Sequence, residues 1–152
     1  MRDPRLLAKP PVCRLGCLAL VRNPRGDVLL VDPDYMDGLI LPGGAARPDE
    51  PPHEAAARHL LDATGIALRF THLLTVDYTP ADRYLERLNL VIDGGTTTSE
   101  PSAPSRRRTG LLGACFVPVA RLPAVMAPAQ AARVGEALVG RVVPLLLCGQ
   151  RA

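Results

Sequence analysis

Between Leu41 and Ile66 the chain gathers the side chains best suited to chemistry: Glu50, Arg58, His59 and Asp62 follow the pair Gly43-Gly44. Glu54, Arg58 and Asp62 recur at four-residue steps with His59 beside them, so a helix would present them on one side. Near pH 7 a neutral His59 can take a proton from water or coordinate a softer ion such as Mn²⁺ or Zn²⁺, or it can simply be a solvated helix histidine. Arg58 and Glu50 have two readings as well: a catalytic pair, or an ion pair holding a loop to the helix. Farther along, Arg106-Arg107-Arg108 sits in a Gly/Thr/Ser/Pro segment. Guanidinium forks match phosphate oxygens, so this run either meets a phosphate in a cleft or is solvated.

Those residues need a strand, a loop and a helix to position them. Leu39 to Leu41 reads as a short extended run ending at Pro42 and the glycine pair. Pro51 and Pro52 suit a first helical turn, Asp49 and Glu50 place negative charge at its positive end, and Gly65 supplies the stop. Ala56 with Leu60, and Ala57 with Leu61, recur at i and i+4 and predict an apolar side packed on a sheet. Before this segment, Cys13 to Val21 and Val28 to Val31 read as a hairpin about the turn Asn23-Pro24-Arg25-Gly26-Asp27. After it, Leu68 to Val76 and Arg83 to Ile92 read as strands about Thr79-Pro80-Ala81-Asp82. Glu86, Arg87 and Asn89 in the second strand either point into a cleft or face water, and exposure is the expectation for isolated charge. Residues 94–110 read as a mobile loop, Leu111 to Val117 as a strand, and Ala129 to Leu147 as a last helix weakened by Gly135, Gly140 and Pro144.

The segment Gly44 to Ile66 resembles the signature of Nudix hydrolases. Gly44 is followed after five residues by Glu50 and after seven more by Arg58, with Leu60, Gly65 and Ile66 in place; six of nine specified positions agree. Asp62 shortens an expected glutamate, while His59 and Ala63 stand where the pattern has glutamates. The resemblance implies an α/β fold, a mixed β-sheet sandwiched between α-helices (α/β/α), over most of residues 12–148. It also implies Mg²⁺- or Mn²⁺-assisted cleavage of a nucleoside diphosphate linked to another moiety. On that reading His59, Asp62, Glu50 and Arg58 are catalytic, Asp62 and Glu50 hold the metal, and Gly43, Gly44, Arg106 and Arg107 bind substrate. Glu100 is a further carboxylate that the loop can bring to a metal. With one carboxylate in a cluster where the family has three, standard Mg²⁺ activity is expected to be weak or absent. The alternative is a non-catalytic domain that binds a nucleotide-like ligand or a protein partner. A homodimer is among the states the resemblance implies.

Composition bounds the remainder. A chain of 152 residues suits one domain able to bury a core, with residues 1–11 as a flexible arm and 149–152 as a tail. A formal charge of +3 does not imply broad nucleic-acid binding. The N-terminus lacks the apolar run of a signal peptide, and Val142–Cys148 is too short to span a bilayer, which predicts a cytoplasmic protein without membrane attachment. Cys13 and Cys17 would lie on one strand face about 13 Å apart, too far to bridge, so the four cysteines are expected to be buried free thiols.

Overall fold

Side chains alternate across the central strand, β1 (Arg14–Arg22), and that alternation sorts the core into two layers. Cys17, Ala19 and Val21 face one way and pack with Ala55, Ala56, Leu60, Ile66 and Phe70. Leu20 faces the other way, into Met126, Val134 and Ala137. The computed structural model describes residues 12–140, 143, 145–147 and 149–151.

The turn after β1 is closed by Asn23, whose Oδ1 accepts the backbone N–H groups of Arg25 and Asp27 at 3.0 and 2.9 Å. Strand β2 (Val28–Pro33) follows, and β3 (Gly43–Ala45) then lies antiparallel on β1. Helix α1 (Pro52–Thr64) starts from Pro51 and ends at Gly65, whose left-handed φ of 74° returns its N–H to the Leu61 carbonyl. Strands β4 (His72–Thr79) and β5 (Arg87–Thr96) are antiparallel neighbours. Helix α2 (Arg106–Thr109), strand β6 (Leu111–Val117), a 3₁₀ turn at Val119–Arg121, and helices α3 (Leu122–Val125) and α4 (Pro128–Val139) come next. Short strands β7 (Leu145–Leu147) and β8 (Gln150–Arg151) finish the chain.

Among the described residues one mixed sheet of eight strands runs in the order β6-β2-β1-β5-β4-β7-β8, with β3 on β1. Helix α1 covers one face and α3 with α4 the other, the expected α/β/α sandwich. Leu60 is fully buried at the α1 layer, a site where truncation to Ala ordinarily costs ~2–5 kcal/mol.

Several boundaries differ from expectation. Phe70 is buried in the α1 layer and residues 67–71 are a connector, so β4 begins at His72. Parallel pairing with β1 draws β5 from Arg14↔Arg87 to Arg22↔Thr96, later than the hydrophobic run indicates. Residues 94–110, expected as a loop throughout, contain the end of β5 and all of α2. The last helix stops at Gly140, and Leu145–Leu147 becomes a strand parallel to β4; glycine followed by Pro144 cannot carry the helix on. Cys17 is buried, but Cys13, ahead of β1, and Cys115, on edge strand β6, are exposed. Cys148 and the arm at 1–11 lie outside the described residues. No helix among the described residues is long and apolar enough to cross a membrane.

Candidate functional site

Strand β3 runs so close to its neighbours that side chains are excluded from two positions. A Cβ on Gly43 would lie 2.4 Å from the Cys17 carbonyl oxygen, and one on Gly44 would lie 2.5 Å from His59 Cε1. The His59 imidazole therefore packs directly on the glycine strand. Its Nε2 is 3.0 Å from the Ala45 carbonyl, which accepts the imidazole N–H in the Nε2-protonated tautomer.

Arg58 makes a two-pronged contact with Glu50, Nε to Oε2 at 2.8 Å and Nη2 to Oε1 at 2.7 Å. The Arg47 backbone N–H donates to Glu50 Oε1 at 3.1 Å. These partners, Arg58 first, hold the Glu50 pKa down to about 2, and the same pairing raises that of Arg58. Asp62 faces Arg108 at 3.3 Å, and Arg106 faces Asp34 at 3.1 Å. Ala63 is buried beside Val31 and Leu111.

Glu50 and Asp62, the carboxylates expected to hold Mg²⁺ or Mn²⁺, are thus both partnered by guanidinium groups. No three His, Cys, Asp or Glu side chains among the described residues gather as a metal site. Divalent cations of this kind need several oxygen donors on one centre, and this donor set does not fit them.

A cavity of about 460 Å³ lies on the opposite sheet face, under α4. Gly43 and Gly44 form part of its wall, whereas Glu50, Arg58, His59, Asp62, Arg106 and Arg107 do not line it. The glycine strand thus contacts His59 of α1 and also borders the cavity. Its polar lining includes Arg14 of β1, Arg87 and Asn89 of β5, the carboxylate of Asp82, and Gln130 and Arg133 of α4, with Gly16, Tyr35 and Tyr84 also in the wall.

Arg133 is set by a buried partner: its Nε donates to Asp77 Oδ2 at 2.6 Å, and Asp77 is fully buried. Asp77 Oδ1 also accepts the Gly149 N–H at 2.9 Å. The Arg87 guanidinium stands 5.6 Å over the Tyr84 ring. Exposure is the sequence expectation for Arg87 and Asn89, but the structure turns both to the cavity and leaves Asn89 only 8% exposed. Neighbouring strands share a face at alternate positions, so 14 and 16 meet 87 and 89 once β1 is known to pair with β5. Arg133 carries no comparable local signal.

The NUDIX domain family model matches residues 14–138. No curated protein matches the sequence. Among solved structures, a NUDIX hydrolase from Nitrosomonas europaea is 20% identical with a TM-score of 0.71, the match covering 89% of this chain and 93% of that one. A MutT NUDIX hydrolase from Burkholderia pseudomallei is 24% identical, TM-score 0.69, covering 85% and 99%. The NUDIX domain of Shewanella oneidensis NrtR, solved with ADP ribose, is 15% identical, TM-score 0.69, covering 91% and 92%.

Proposed function

Since the chain belongs to the NUDIX domain family, we propose that it is a divergent member that binds a nucleoside diphosphate derivative beside Gly43 and Gly44, and whose Mg²⁺-supported cleavage of that ligand is weak or absent. The observation that carries this reading is the pairing of both expected metal carboxylates with arginine: Glu50 with Arg58 and Asp62 with Arg108. A carboxylate engaged by a guanidinium is a poor ligand for a hard cation, and His59 turns its Nε2 to the Ala45 carbonyl. Binding has separate support in the cavity, where arginines supply positive charge and Tyr35 and Tyr84 offer aromatic faces for a planar base. The NrtR domain's ADP ribose suggests the first probe.

Slow hydrolysis is kept as a second reading by one feature. The Asp62 and Arg108 side chains are 44% and 69% exposed, and such surface pairs contribute only ~0–1 kcal/mol, so a cation can compete for Asp62. Titrating ADP ribose and a panel of nucleoside diphosphate compounds, with chelator and then with Mg²⁺ or Mn²⁺, while assaying product, separates the two. Saturable binding with product at background is the expected result. Metal-dependent product release that disappears in Asp62→Asn would favour the hydrolase.

A further inference from the structure

Two arginines of the cavity wall stand directly opposite each other on neighbouring strands. Arg14 of β1 and Arg87 of β5 are register partners in the parallel pair, so their side chains share a sheet face, and both line the cavity. Like charges directly opposite on neighbouring strands repel. Neither guanidinium has a carboxylate partner among the described residues; the polar contact recorded for Arg87 is the Tyr84 ring. Asp82, the carboxylate in the cavity wall, accepts the Tyr84 backbone N–H at 2.9 Å.

Arg133 of α4, also in the cavity wall, adds a third guanidinium, one edge held by buried Asp77 through Nε. The hold on that edge fixes the direction of the fork and leaves its charge beside the cavity. Asn89, next on the face after Arg87, contributes an amide.

We propose that Arg14, Arg87 and Arg133 form an anion subsite that takes the diphosphate group of the ligand without a divalent cation. This rests on the ligand class proposed above. An anion between Arg14 and Arg87 relieves their repulsion, and guanidinium forks satisfy several phosphate oxygens at once. Asp77 is a positioning residue: it aims Arg133 and does not touch the anion.

The test is titration with inorganic pyrophosphate in the presence of EDTA, by calorimetry, on the whole chain. Wild type binds. Arg14→Gln and Arg87→Gln each weaken binding about tenfold or more, and the double variant about 100-fold, as expected for charge-assisted contacts. Arg121→Gln, in the 3₁₀ turn outside the cavity, changes nothing. Arg133→Gln leaves Asp77 buried without its partner and can lose the fold, so the strand variants, checked by unchanged melting temperature, decide the matter. Pyrophosphate that binds only with Mg²⁺, does not bind, or binds Arg14→Gln and Arg87→Gln as tightly as wild type overturns the proposal. ADP ribose or another panel compound that binds with affinity unaffected by these variants overturns the subsite while sparing the ligand class. Arginine-dependent pyrophosphate binding with no panel compound bound does the reverse.

Discussion

At the scale of single residues the decisive fact is which partner each charged group has. Glu50 ionises at about pH 2 in the folded protein, below the ordinary value of 4.5, because Arg58 and the Arg47 N–H bond its charged form. A depressed carboxyl pKa stabilises the fold above the unfolded-state value and loses that contribution as pH falls through the folded value. The stability difference between wild type and Glu50→Gln should therefore be level above about pH 5 and shrink between pH 4.5 and about 2, read by denaturant titration across pH. A second prediction concerns Gly44, whose missing Cβ makes room for His59. Gly44→Ala should cost ~1–3 kcal/mol by overpacking, and His59→Ala should restore much of it. A double-mutant cycle that is additive would show that the imidazole is not what excludes the side chain. Much of this pairing was legible: the Arg58–Glu50 ion pair was one of two readings of those residues. Arg108 on Asp62 was not, since the partners are 46 positions apart.

At the scale of elements, the C-terminal end of α1 is held by ties from a distant segment. Ser102 donates both its backbone N–H and its hydroxyl to the Thr64 carbonyl, at 2.8 and 2.9 Å, at the C-terminal end of α1. Ser102→Ala should lower stability by ~0.5–1.5 kcal/mol and raise hydrogen exchange in the last turn of α1. Unchanged exchange there would mean that the Ser102 backbone N–H holds this carbonyl without the hydroxyl. Helix α1 was readable because Pro52 and Gly65 are punctuation at its ends. Strands β4 and β5 were readable as strands but shifted along the chain, since their limits come from pairing with β1 and from burial of Phe70. The end of α4 is not legible in the sequence, because the apolar run to Leu147 looks the same whether it continues a helix or starts β7.

At the scale of the whole molecule, one sheet separates two chemistries. The α1 face carries the carboxylates and their guanidinium partners, and the α4 face carries the cavity, with Gly43 and Gly44 reaching both. The family and the sandwich were legible from the spacing of Gly44 to Ile66, but the cavity lining was not, because it joins β1, β5 and α4 through tertiary contact. Restoring the acids measures most directly whether cation-assisted cleavage is weak in this chain. Nucleoside diphosphate turnover with Mg²⁺ should stay at background in wild type and rise about 100-fold or more in His59→Glu, alone and combined with Ala63→Glu where an unchanged melting temperature shows that the buried position 63 accepts the charge, the several kcal/mol that a seated cation supplies. A wild-type rate equal to that of the restored protein, and abolished by Asp62→Asn, would contradict the account.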